Sequence, residues 1–252
     1  MFLAELQPGI ILNGFVSLSL SIISVSFIHY LIKIRNKLDH LMQAYVWFWI
    51  VTAFVWFFVS SRYILIGLSY SGKDLILLLE LLIQISIFMT GPALFYFLGY
   101  ALYMSKTLAS LLALVSFVFA VISTAYMMLP GGLTLLEITY FSAETGLGEI
   151  PMSIFSSQVM VIIVLLLVLL LKNYILRVKT SDESIRFQLL YIVSILGYVI
   201  LGALDQSKIF YDWAIILIRS LYAGIFLFMY IILKKEMDDN EKYFVSINEI
   251  KK

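Results

Sequence analysis

Apolar residues run along this chain in seven long blocks, with turn-forming or charged clusters between them. The blocks fall at residues 9–34, 41–69, 75–104, 108–129, 152–176, 187–204 and 213–233. A hydrocarbon core of about 30 Å needs roughly 20 apolar residues per helix, so each block predicts a transmembrane helix. The separators are KIRNKLDH, SYSGKD, MSKT, PGGLTLLEITYFSAETGLGEIP, RVKTSDESIR and DQSKIFYD. None looks like a soluble domain, and no solenoid-type repeat is visible.

Composition sharpens this picture. Of 252 residues, 62% are hydrophobic and only 13% charged, and the mean hydropathy is +1.02. A soluble domain carries about 25% charged residues, and a globule of this size cannot bury so much apolar surface. The expected fold is therefore an all-α membrane protein, a seven-transmembrane helix bundle over residues 1–234 with a short tail at 235–252. No basic residue precedes the first block, so it reads as a true span and not as a cleaved signal peptide.

All but four of the 17 Lys and Arg residues fall on one side of this arrangement, at 33–37, Lys106, 172–186 and 234–252. The exceptions are Lys73 and Lys208 on the other side, and Arg62 and Arg219 inside spans. By the positive-inside rule the basic side is cytoplasmic, which puts the N-terminus outside and the C-terminus inside. The outer side is acidic, with Glu5, Asp74, Glu137, Glu144, Glu149, Asp205 and Asp212. The cytoplasmic basic residues also attract anionic lipids.

The one long connection, 130–151, is on the outer side. Its LTLLEITYF stretch is β-branched and aromatic, and Gly146 and Gly148 follow it as turn signals. It reads either as a hairpin or lid over the outer mouth, or as a plain connector. The tail, KKEMDDNEKYFVSINEIKK, is expected to extend helix 7 for a few turns and then fray. It is too short for a catalytic or signalling domain.

Ionisable groups within spans are costly and usually face the bundle interior. At 1.5 Å per residue, Glu80 lies roughly 9 Å below Asp74, and Arg219 roughly 10 Å below Asp212. Arg62 is about two turns from the outer end of helix 2. Asn13 and Gln158 fall at comparable depth, Asp205 closes helix 6 at the same surface, and Gln84 is one turn from Glu80 on the same face. These residues predict a polar layer in the outer half. It reads either as internal ion pairs, Arg62 with Glu80 and Arg219 with Asp205, or as a pocket whose guanidiniums clamp an anionic head group. A third course is that the arginines snorkel to lipid phosphates. Replacing Glu80 by Gln separates the first two: a pocket loses ligand response more than stability, a strut the reverse.

Thr90-Gly91-Pro92 lies mid-span in helix 3. Proline removes a backbone hydrogen bond and kinks the helix, and Gly91 adds slack, so Gly91 and Pro92 are candidate hinge residues. The aromatic runs around Trp47, Trp49, Trp56, Phe57 and Phe58, and at Phe95, Tyr96 and Phe97, read as packing or interfacial belt. His29 reads as a hydrogen-bonded packing residue and not as a proton sensor. Gly197 and Gly202 are five apart, so they are not a GxxxG pair; they loosen helix packing.

No enzyme chemistry is indicated: the spans hold no Ser/His dyad in a membrane-protease arrangement and no carboxylate pair on neighbouring turns, and there is no Gly-rich phosphate loop. Zero Cys excludes disulfides and thiolate metal sites. His29 and His40 are too few for a bis-histidine haem stack or a multi-histidine zinc site. No cofactor, metal or nucleic acid is expected. The helix count and outer N-terminus invite comparison with microbial rhodopsins, whose retinal Schiff base needs a mid-membrane lysine in helix 7. That helix reads WAIILIRSLYAGIFLFMYIIL, with Arg219 as its only charge, which argues against a retinal photoreceptor.

Helix 3 with its acidic residue and aromatic end (LILLLELLIQISIFMTGPALFYFLGY) leads through MSKT into helix 4. Later come TGLGEIPMSIFSSQ, entering helix 5, and RFQLLYIVSILGYVILG, where Arg186 and Gln188 form an R-x-Q start to helix 6. Across residues 10–235 this hydropathy pattern resembles the N-terminal seven-helix sensor region of prokaryotic histidine kinases. The resemblance implies a module in the plasma membrane that senses a ligand or the membrane state. Those proteins continue into a kinase, so here a signal is expected to pass to a separate membrane or cytoplasmic protein partner.

The combined expectation is a non-enzymatic receptor-like module in a lipid bilayer. It would bind a small amphipathic or anionic ligand at Arg62, Glu80, Gln84, Gln158, Asp205 and Arg219. The alternative is a structural subunit of a larger membrane complex. A transporter ranks last, because transporters show paired repeats with broken helices at matching positions, and only helix 3 has such a break.

Overall fold

The computed structural model describes residues 7–33, 40–68, 72–180, 183–207 and 212–250. Among the residues used for the charge argument, Glu5, Arg35, Lys37, Lys208, Lys251 and Lys252 lie outside the described set. So do the side chains of Lys33, His40, Glu137, Glu144, Arg177, Lys179, Arg186, Gln188 and Lys242.

Seven helices and one hairpin make up the described chain: α1 (Pro8–Lys33), α2 (His40–Gly67), α3 (Lys73–Tyr103), α4 (Lys106–Met127), β1 (Leu133–Ile138), β2 (Ala143–Leu147), α5 (Glu149–Thr180), α6 (Glu183–Gln206) and α7 (Trp213–Ile250). Six of the helices are long and apolar enough to cross a membrane, which is the build of a multi-pass membrane protein. The exception is α6. Its apolar stretch among the described side chains is Ile192–Gln206, shorter than the roughly 20 residues of a full crossing.

Each helix packs on its neighbours in sequence, α7 closes the ring on α1, and α3 also reaches α5. Local signals set the joints. The α3–α4 connection is two residues long: Met104 takes the left-handed conformation (φ 54°) and donates to the Tyr100 carbonyl, and the Ser105 hydroxyl accepts from Leu108 N–H at 3.4 Å. The Lys172 ammonium of α5 donates to the carbonyls of Ala101 and Leu102, both at 3.2 Å. That places a cation on the negative end of α3.

The inner half of the core is aromatic. Phe27 stacks on Trp49 with ring centroids 4.1 Å apart, and Trp49 meets Phe226 edge-on at 4.8 Å. Trp56, Phe95 and Phe97 are buried, whereas Trp47 and Phe57 face outward, as packing and lipid contact require. His29 is exposed on the rim of α1, beside the outward-facing Val25 and Ile32. The expectation of a packed histidine is thereby corrected. Gly202 and Gly197 sit against Tyr222 and Ile225 of α7, so they admit close packing there.

The 130–151 segment is a hairpin. Gly131, at φ +80°, turns the chain out of α4. β1 and β2 then pair antiparallel from Leu133↔Leu147 to Ile138↔Ala143, with a bulge between Leu135 and Glu137. Its tip is drawn into the helix ends. Ser142 and Ala143 are fully buried, and Asn13 Nδ2 of α1 donates to the Phe141 carbonyl at 2.7 Å. Phe141 N–H donates to Asp212 Oδ1 at 3.0 Å, just before α7.

Candidate functional site

The polar layer expected in the outer half forms directly beneath this hairpin. Arg62 on α2 pairs with Glu80 on α3. Its Nη2 also donates to the Ala143 carbonyl at 3.1 Å, and its Nη1 to Thr145 Oγ1 at 3.3 Å. Thr145 in turn donates to Glu80 Oε1 at 2.6 Å, and Gln84 Nε2 donates to the same oxygen at 2.7 Å. The Glu80 carboxylate is thus held by three different elements of the chain.

Arg219 on α7 forms the second centre. Its Nη1 donates to Asn13 Oδ1 at 2.6 Å, and its Nη2 to the Tyr63 hydroxyl at 3.1 Å. Asp205 Oδ1 stands 3.9 Å from Nη2, an ion pair longer than a hydrogen bond. Tyr63 joins the two centres: its ring centroid lies 4.4 Å from the Arg219 guanidinium carbon and 5.0 Å from that of Arg62. With Arg62 5%, Glu80 1% and Arg219 4% exposed, neither Arg62 nor Arg219 snorkels. Both ion pairs predicted from depth are made. Removing one partner of such a pair strands the other in low dielectric.

Below the layer lies a cavity of about 120 Å³, room for several water-sized groups at roughly 10–15 Å³ each. Arg62, Glu80, Thr145, Asp205 and Arg219 line its polar end, and Val59, Ile83, Ile87, Val159, Ile162 and Val199 its apolar wall. Among the buried polar atoms of the lining, Trp56 Nε1 and Gln84 Oε1 have no hydrogen-bond partner among the described residues. The second follows from chemistry. An ionised carboxylate only accepts, so Gln84 must turn its amide NH₂ toward Glu80 and leave its oxygen over.

The other candidates fall elsewhere. Gln158 lines no part of this cavity; its Nε2 donates to the Ser116 carbonyl of α4 at 3.3 Å, on the far side of α3. Gly91 faces that same place. A Cβ on it would come 2.7 Å from Ser116 Oγ and 3.2 Å from Gln158 Oε1, so glycine is required there for the helices to meet. Helix α3 continues unbroken through Pro92. Thr145 and Tyr63 were not singled out from sequence. Thr145 belongs to a hairpin whose inward dip has no hydropathy signal, and Tyr63 is an uncharged residue beside the conspicuous Arg62.

No protein-family model matches the chain, and neither a curated protein nor a solved structure matches it. The arrangement itself defines a helical membrane protein in which Arg62, Glu80, Asp205 and Arg219 are gathered and paired at the hairpin end of the bundle.

Proposed function

We propose that this chain is a non-enzymatic, seven-span sensor or receptor-like module of the plasma membrane, with its N-terminus outside and its C-terminus in the cytoplasm. It binds a small amphipathic ligand in the outer cavity and passes the signal to a protein partner. The basic residues support the orientation. The count of seven is supported by Asn13, Arg62, Glu80, Asp205 and Asp212: they come alternately near the start and near the end of successive helices, yet all lie at the hairpin end. An α6 that did not cross would break that alternation.

The observation that carries the reading is the cavity with its unpartnered Trp56 Nε1 and Gln84 Oε1. An unmade hydrogen bond on a buried group costs about 1–3 kcal/mol, which a ligand offering one acceptor and one donor recovers. Because both guanidiniums already have protein partners, the ligand is an uncharged amphiphile and not an anion. Binding would act through a difference in affinity for two conformations, with α3 and its Gly91-Pro92 hinge as the element that moves.

Native mass spectrometry of gently extracted protein tests this. A retained small molecule that disappears in Trp56→Phe and Gln84→Leu is the expected result. A stoichiometric protein partner with no small molecule would replace this reading by the second one, a structural subunit of a larger complex. That alternative is favoured by one observation: the charged layer is satisfied within the chain.

A further inference from the structure

The side of α3 away from the outer cavity carries its own polar chemistry. Between α4 and α5 lies a groove of about 400 Å³, walled by Phe95, Leu112, Val115, Phe119, Ile154 and Val161. Val115, Phe119 and Val161 are exposed, so the groove opens on the apolar circumference of the bundle. Its lining also includes Ser116, Ser153, Ser157 and Gln158, an unusual set for a surface that meets lipid.

Ser116 is the informative residue. Hydroxyls in membrane helices are satisfied by the carbonyl three or four residues back, as at Ser17, Ser24, Ser86, Ser157 and Ser194. Ser116 is 2% exposed and its Oγ, packed beside Gly91, has no partner among the described residues; Thr52 and Ser123 share that condition, but of the three only Ser116 lines the groove. It lies ten residues from the start of α4 and Gln158 nine from the start of α5, so each is about 14–15 Å deep, close to the bilayer midplane. At that depth no water is available to complete a hydrogen bond.

We propose that this groove binds a membrane-dissolved molecule with an apolar body and one hydrogen-bonding hydroxyl or carbonyl group. It enters sideways from the bilayer, and Ser116 and Gln158 are its polar seat. The size supports this occupant: small-molecule sites occupy about 300–1,000 Å³, whereas a partner helix is about 10–12 Å across along its whole length. An ordinary acyl chain has nothing to offer Ser116 or Gln158. The site is independent of the outer cavity and stands or falls without it.

The test uses the full chain in phosphatidylcholine nanodiscs with two photoactivatable diazirine probes, one a derivative of dodecanol and the other of dodecane. The alcohol is expected to label residues 112–119 and 153–161 several-fold more than the alkane does. Labelling of the lipid-facing side of α7 should be alike for both probes. Ser157→Phe, which fills the groove, should abolish the excess, and Gln158→Leu should reduce it to the alkane level. In both variants unchanged labelling of α7 verifies the fold. Equal labelling by the two probes, or an excess insensitive to both variants, overturns the proposal. So does cross-linking of these peptides to a second polypeptide in native membranes, which would make the occupant a helix.

Discussion

Thr145 Oγ1 donates to Glu80 Oε1 at 2.6 Å, and the same hydroxyl accepts from Arg62 at 3.3 Å. A side chain from the hairpin therefore bridges both members of a buried ion pair on α2 and α3. The hairpin is fastened by the charges it covers, and the charges are shielded by the hairpin.

Thr145→Val keeps the shape and removes the hydroxyl. A hydrogen bond to a charged group contributes about 1.5–3 kcal/mol, so unfolding in mild detergent should shift by that order. Hydrogen exchange should rise across 133–147 and stay unchanged in the inner half of α3. Uniform exchange changes along α3 would show that the hairpin is not held by this contact.

Glu80→Gln strands Arg62, while replacing both residues by Met removes the need for a partner. Breaking a buried pair costs about 3–5 kcal/mol, whereas an apolar pair of similar volume is often neutral. The double variant should therefore be more stable than Glu80→Gln alone in SDS titration. If the two losses simply add, the pair is not coupled as its geometry requires.

Gly91→Ala places a methyl group 2.7 Å from Ser116 Oγ. Overpacking of this kind costs about 1–3 kcal/mol. Adding Ser116→Ala opens the space and should restore most of the lost melting temperature. Failure of that rescue would mean that Gly91 is needed for backbone freedom next to Pro92 and not for packing.

Tyr63→Phe removes the hydroxyl that accepts from Arg219 and leaves the ring between the two guanidiniums. Tyr63→Leu removes the ring as well, and with it cation–π contacts of about 0.5–2 kcal/mol. The Leu variant should be the less stable of the two by that margin in thermal unfolding. Equal stability would reduce the ring to a spacer.

Depth along each helix was legible in the sequence, because rise per residue is fixed. Depth alone brought Arg62 to Glu80 and Arg219 to Asp205. Rotation about each helix axis was not. Helix α5 is apolar nearly all round, so its pattern cannot say which way Gln158 faces, and depth put it in a layer that its rotation takes it out of. The β-branched residues and glycines of 130–151 left a hairpin and a plain connector both open, and the chain forms the hairpin. Its tip being drawn inward was not legible, since that depends on Asn13 and Asp212, at opposite ends of the chain, meeting one turn of backbone. The apolar block 187–204 was read as a span, and Ile192–Gln206 is the apolar stretch among the described side chains.

The order in which the chain is made bears on how Arg219 comes to be paired. Arg62 and Glu80 sit on consecutive helices and can neutralise one another as soon as that helical pair is in the bilayer. Arg219 has to find Asn13, Ser17 and Tyr63 on α1 and α2, between 156 and 206 residues earlier in the chain. Until α7 arrives, the groove between α1 and α6 must stay open and solvated at its outer end. Helix α7, made after α1–α6, is thus the one that closes the ring.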